Sequence, residues 1–351
     1  MRTLQTMQTP CGSWIGTRHA PNGTPPVIGD TGCLLLNFGH MPRSGVGDLS
    51  THLADYIAST GISTWRFDFP GLGDSPGDTP SAERVLFRQI QAGHFVGPCL
   101  ELIKELSTKT GISNWVLGGL CGGAVTAVLA ARQCEELISG MLLIDLDVSL
   151  LPEVEVSAQG VSVVRVAKPD AVPENCHEPL EDVASTCYKD SATNRLTVKS
   201  HDSFVQRLFH RRNWVRFATG EGRLGGRMPG LRKIVSRVLA IGNYAELPSD
   251  RNQPLVNALC DLIERQLPVL SIRAKGKMRD LYAESVDQVY FRDGIPEHYR
   301  VLRLTGTNHV FTSGGGEATV VSAVGGWLET LAEAKGHFEE STQTTSAEVL
   351  A

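Results

Sequence analysis

Two kinds of hydrophobic pattern alternate along the chain. Short, nearly continuous apolar runs occur at Cys33-Leu34-Leu35-Leu36-Asn37-Phe38, Ser63-Thr64-Trp65-Arg66-Phe67-Asp68-Phe69, Asn114-Trp115-Val116-Leu117, Gly140-Met141-Leu142-Leu143-Ile144-Asp145, Pro268-Val269-Leu270-Ser271-Ile272-Arg273 and Tyr299-Arg300-Val301-Leu302-Arg303-Leu304. Such runs suit strands covered on both faces. Between them lie stretches with helical periodicity. Leu49, Leu53, Tyr56 and Ile57 share one face of a helix starting near residue 48, and further helices are expected at 100–106, 124–131 and 318–331. Strands separated by helices predict an α/β architecture, a mostly parallel sheet with helices on both faces. Residues 1–30 differ, because Pro10-Cys11-Gly12, Pro21-Asn22-Gly23 and Pro25-Pro26 punctuate short mixed runs, as in an antiparallel hairpin at a sheet edge.

The strand–helix rhythm stops after residue 148. Residues 149–262 are polar, irregular and helix-leaning, and read as a helical cap inserted late in the strand order. The core is expected over 1–148 and again over 263–338, with 339–351 a polar, frayed tail. No internal repeat is visible.

One stretch combines both patterns within a few residues. Asn114-Trp115-Val116-Leu117-Gly118-Gly119-Leu120-Cys121-Gly122-Gly123-Ala124-Val125 reads as a strand, a tight turn and a helix that begins at once. Gly119-x-Cys121-x-Gly123 has the spacing of a nucleophile elbow with a thiol in place of the usual serine hydroxyl. Its central residue should be strained, and its glycine neighbours packed too closely for a side chain. The helix should point its positive end at the sulfur and lower the thiol pKa. Read in isolation, Cys121 could equally be a buried structural thiol, since free cysteines are among the most buried residues.

Composition narrows the picture. A chain of 351 residues is long for a single domain, which suits a core with an insertion, and 41% hydrophobic with 20% charged residues is ordinary for a globular enzyme. A net charge of −5 argues against a nucleic-acid partner. Eight cysteines occur without a C-x-x-C pair or a Cys/His spacing suited to zinc, so no metal is expected. Neither a signal peptide nor an apolar run of about 20 residues is present, which points to the cytoplasm and away from a membrane. The glycines of Pro70-Gly71-Leu72-Gly73-Asp74-Ser75-Pro76-Gly77 are not a dinucleotide loop, because Pro76 stands where the helix should open.

These features together resemble the α/β-hydrolase superfamily over residues 10–148 and 263–335. The elbow follows a mid-sheet strand, and Asp68-Phe69-Pro70-Gly71-Leu72-Gly73-Asp74-Ser75 is similar to the family's D-x-x-G-x-G-x-S loop. With Asn37-Phe38-Gly39-His40-Met41-Pro42-Arg43-Ser44-Gly45, it looks like the exosortase-associated and S33-like hydrolases, which carry a helical cap between the sixth and seventh strands. The thiol departs from that pattern and is shared with dienelactone-hydrolase-like members and some thioesterase domains.

The resemblance implies acyl chemistry without a cofactor. Cys121 would be the nucleophile and His309, in the loop after the last strand, the base. His40 is a rival base, but it lies on the loop expected to border the oxyanion hole. The acid is open between Asp280, which would have to reach back from a loop carrying lysines where the family has an aspartate, and Asp145 at an adjacent strand end. Oxyanion donors would be the N–H of Gly122 and one from Gly39 or His40.

A thioester intermediate can pass its acyl group to water, an amine, an alcohol or a thiol. The expected activity is therefore hydrolysis or transfer of an activated acyl ester or thioester. A dienelactone-type hydrolase is the enzymatic alternative, and a non-catalytic hydrolase-fold binding protein the alternative of another class. In the cap, Arg211, Arg212 and Arg216 belong to a basic run interleaved with Phe209, Trp214 and Phe217. That run is either an ordinary solvated face or a dock for an acidic acyl or peptidyl carrier protein or coenzyme A.

Overall fold

A computed structural model describes residues 1–152 apart from 24–27, 29 and 81, the backbone of 154–157 and 160–163, and residues 248–349 apart from 249 and 293, with backbone alone beyond residue 333. Strands β1 (Arg2–Thr9) and β2 (Gly12–His19) form the expected antiparallel edge hairpin, with Thr9 opposite Gly12 at the turn. The chain continues through β3 (Thr31–Leu36), α1 (Leu49–Ser59), β4 (Thr64–Asp68), α2 (Glu83–Gln91) and α3 (Val96–Thr110). β5 (Asn114–Leu120), α4 (Gly122–Ala131) and β6 (Ile138–Ile144) complete the first part of the core. The backbone pair β7 (Val154–Ser157) and β8 (Gly160–Val163) follows. The second part holds α5 (Gln253–Glu264), β9 (Val269–Ala274), α6 (Met278–Tyr290), β10 (Tyr299–Leu304) and α7 (Gly316–Val349).

Eight strands form one sheet in the order β1-β2-β4-β3-β5-β6-β9-β10. β1 and β2 are antiparallel to their neighbours, and every pairing from β4 through β10 is parallel. Period-two alternation distributes the apolar side chains. Leu34, Leu36, Trp115, Leu117, Met141 and Leu143 face a core shared with α2 to α6, whereas Cys33, Leu35, Val116, Leu142 and Ile144 face one shared with α1 and α7. The central strands β3, β5 and β6 are thereby apolar on both sides, which is why each reads as a continuous run.

Three differences from the sequence expectation matter. The helices α2, α5 and α6 carry narrow apolar stripes, such as Met278, Tyr282 and Val286 at steps of four, and these are easily lost among charged residues. α5 falls inside the stretch read as cap, yet Leu255, Val256, Leu259 and Leu262 are buried in the core beside α4. The second part of the core therefore begins near Gln253 rather than at 263. The final helix runs on to Val349 through the stretch read as a tail. The insertion leaves and rejoins the core at one point. Ser149 bridges Arg251, Leu150 N–H donates to the Asp250 carbonyl at 2.7 Å, and Asn252 N–H donates to the Val148 carbonyl at 2.7 Å.

Candidate functional site

Parallel strands end on the same side of a sheet, so the loops after β3, β5, β6, β9 and β10 converge. The loop after β5 is the tightest. Cys121 sits between β5 and α4 at φ 54°, ψ −111°, a conformation few side-chain-bearing residues adopt. A Cβ at Gly119 would lie 2.6 Å from the Gly123 carbonyl carbon, and one at Gly123 would lie 2.2 Å from the Asn37 carbonyl oxygen. Both contacts are with backbone, so only glycine allows this turn. Cys121 N–H donates to the Ile144 carbonyl at 2.8 Å, which pins the elbow to the end of β6.

The loop after β3 packs on the start of α4. A Cβ on Gly122 would stand 2.8 Å from Gly39 Cα, and Gly39 itself has φ 55°. The turn closes through Met41 N–H to the Phe38 carbonyl at 2.8 Å. Among the described residues, the N–H groups of Gly39 and His40 donate to no protein acceptor. The buried Asp68 carboxylate fixes the loop by accepting from Asn37 Nδ2 at 2.9 Å, from Arg43 N–H at 2.6 Å and from the Arg43 guanidinium. The His40 side chain is half-exposed and lies 3.6 Å from Glu83 at the start of α2.

The sulfur departs from expectation. Cys121 is 2% exposed, and burial pushes its thiol up to about 12 despite the Arg279 guanidinium and the Gly122 N–H, both of which favour the thiolate. Asp147 and Asp145 add to the rise. The helix terminus is in place, but desolvation of the charged form outweighs it. His309, near the middle of the loop between β10 and α7, is partly buried with its ring centroid 6.1 Å from that of Phe38. Burial, followed by Arg279 and Lys277, lowers it to about 4, with Asp147 opposing. Among the described residues, the His309 ring makes no hydrogen bond to Cys121 or to a carboxylate.

Among the described residues, neither expected acid forms a hydrogen bond or ion pair with His309. Asp280 is fully buried in the first turn of α6, where its Oδ2 accepts from Gly276 N–H and from Arg303 of β10, each at 2.7 Å. One helical turn separates Asp280 from Gly276, so the carboxylate folds back on its own loop. Asp145, at φ 47° just beyond β6, accepts from Ala274 N–H at 3.1 Å, and burial raises it to about 6.

Two functional candidates escaped the sequence. Asp147 Oδ1 accepts from Ser149 N–H at 3.0 Å and from its hydroxyl at 2.6 Å. Arg279 Nη1 lies 3.5 Å from Asp145 Oδ2, and its Nε lies 3.3 Å from Asp147 Oδ2. The signal was an Asp-x-Asp pair after β6 and one arginine among the lysines after β9, two motifs that only the sheet brings together.

Arg211, Arg212 and Arg216 lie outside the described residues. Among the described residues, no group of His, Cys, Asp and Glu could hold a metal ion, and no helix is long and apolar enough to cross a membrane.

No family model and no curated protein matches the chain. Solved structures do. DcsB in complex with its substrate analogue superposes with a TM-score of 0.50 at 15% identity, over 95% of this chain and 99% of that one. Proline iminopeptidase from Mycobacterium smegmatis gives 0.50 at 12%, over 95% and 100%. Identities this low speak for architecture alone. With the strand order and the elbow, they give the chain an α/β-hydrolase fold.

Proposed function

We propose that the protein is an acyl hydrolase or acyltransferase working through a thioester on Cys121. The observation that carries the reading is the elbow. Strain at φ 54°, ψ −111° is held by glycines that admit no side chain, beside a Gly39–Gly122 contact whose flanking N–H groups at 39 and 40 donate to no acceptor among the described residues and would receive an oxyanion. In this reading the Cys121 sulfur attacks the acyl carbon, its proton passes to His309, and the carbonyl electron pair moves onto oxygen. Collapse of that intermediate expels the leaving group, which takes the proton from His309. Water or another acceptor then cleaves the thioester by the same steps in reverse.

Both pKa shifts bear on the resting state. With the thiol pushed up and the imidazole pushed down by burial, proton transfer between them before substrate binds is strongly uphill. The resting pair is therefore neutral, and the base acts only as attack proceeds. Asp147, whose charge favours protonated His309, is a better candidate than Asp280 for supporting the imidazolium.

The substrate is proposed to be a small activated ester or thioester. The basic stretch at Arg211, Arg212 and Arg216 favours a carrier-protein or coenzyme A thioester over a dienelactone-type cyclic ester. A non-catalytic ligand-binding role is the second reading, and the buried, protonated thiol is the observation that favours it. Incubation with acyl thioesters followed by peptide mass spectrometry separates the two. An acyl adduct on Cys121, absent from C121S, supports catalysis; adducts confined to other cysteines such as the half-buried Cys11 would sink it.

A further inference from the structure

Three neighbouring strand ends place one partly buried cation beside the elbow. Cys121 follows β5 and is bonded through its backbone to Ile144. Asp145 follows β6 and is bonded through its side chain to Ala274. Arg279 stands in the first turn of α6, just after β9. Its guanidinium faces Asp145 and Asp147 at 3.5 and 3.3 Å, and both carboxylates are almost wholly shielded from solvent. These are loose distances for ion pairs, and among the described residues the buried Arg279 Nε and Asp145 Oδ2 meet no partner at close hydrogen-bond geometry, although the guanidinium still favours the charged form of Asp145. The cation is therefore shared rather than consumed. It also acts on the third acidic group nearby: Cys121 and Arg279 each favour the other's charged form.

We propose that the Arg279 guanidinium, rather than the His309 imidazolium, is the counter-charge of the Cys121 thiolate, and that Asp145 and Asp147 compete for it. Arg279 is a positioning residue in this scheme. The thiol's proton leaves to His309 during acyl transfer, or to solvent buffer when a small electrophile reacts. The remaining sulfur anion is balanced by a cation that never gives up its proton at physiological pH. Lys277, the other cation acting on His309, does not figure among the main influences on the sulfur. This inference rests on Cys121 as the nucleophile, but it concerns the sulfur's ionisation and is tested without any acyl substrate.

The experiment is the rate of Cys121 alkylation by iodoacetamide in the full chain, read by peptide mass spectrometry as a function of pH. Arg279→Met should slow the reaction at least tenfold at a fixed mildly alkaline pH. Arg279→Lys, which keeps the charge, should stay within a few-fold of the parent. Asp145→Asn, which removes a competitor, should accelerate it several-fold. A purely structural role for this cluster predicts no such gain. His309→Ala should leave the rate within twofold. A tenfold loss in His309→Ala with no loss in Arg279→Met would return the counter-charge to the imidazole and overturn the proposal. If Arg279→Met fails to fold, the Asp145→Asn arm decides, and an unchanged or slower rate there refutes the competition. Absence of acyl adducts on Cys121 in the separate thioester assay would end the enzymatic reading while leaving this result intact.

Discussion

At the scale of single residues, the same substitution should have opposite signs at two glycines. At Gly123 a Cβ would meet the Asn37 carbonyl oxygen at 2.2 Å, and since backbone cannot swing aside, α4 must lift from β3. Gly123→Ala should lower stability by roughly 3 kcal/mol or more, at the upper end of overpacking costs. At Gly326, on the exposed side of α7, an added methyl meets nothing within 4 Å, and Gly326→Ala should raise stability by about 0.5–1 kcal/mol. Urea denaturation of the two variants measures both. The elbow was legible because its logic is local: Gly119, Cys121 and Gly123 constrain one another within five residues of chain. Arg279 and Asp147 were not, because 132 positions separate them and only strand pairing joins them. Burial is what the motif could not convey. The helix terminus beside Cys121 is where the pattern implies, yet the thiol is pushed up rather than down.

At the scale of elements, the strands announced themselves and some helices did not. β10 occupies the residues expected of it, Tyr299–Leu304, even though it is an edge strand in which Arg300 and Arg303 interrupt the apolar positions and only Tyr299 is fully buried. α5 was absorbed into the insertion because nothing in a single amphipathic helix tells which surface it will cover. Its assignment to the core has a direct consequence. Leu259 is buried beside α4, so Leu259→Ala should cost about 2–5 kcal/mol, a core penalty. An effect below about 0.5 kcal/mol in thermal or urea unfolding would place α5 back with the insertion.

At the scale of the whole molecule, acid should act on the fold through two groups of opposite sign. His309 falls from 6.5 to about 4 on folding, so between those values the unfolded chain binds the extra proton and stability declines as pH drops. Asp145 rises from 3.8 to about 6, so between those values the unfolded chain releases its proton first and stability declines as pH climbs. Urea midpoints measured from pH 4 to 7 should therefore separate the variants. His309→Gln should flatten the acid limb below pH 6.5. Asp145→Asn should be more stable than the parent at pH 7, by an amount that vanishes towards pH 4. Asp55, held at about 2 by Arg2, adds a loss only at still lower pH.

The two ends of the inserted stretch meet through the Ser149–Arg251 bridge and its flanking hydrogen bonds. A connection anchored this way is topologically a hairpin loop, whatever its length, and closing a loop grows only slowly costlier as residues are added. Replacing residues 152–248 with a few glycines and serines should leave the eight-stranded sheet cooperative in calorimetry and the elbow intact. The core would then serve as a chassis with a detachable cassette. Grafts of foreign cassettes between Ser149 and Arg251 become a way to vary the insertion without touching the residues around Cys121.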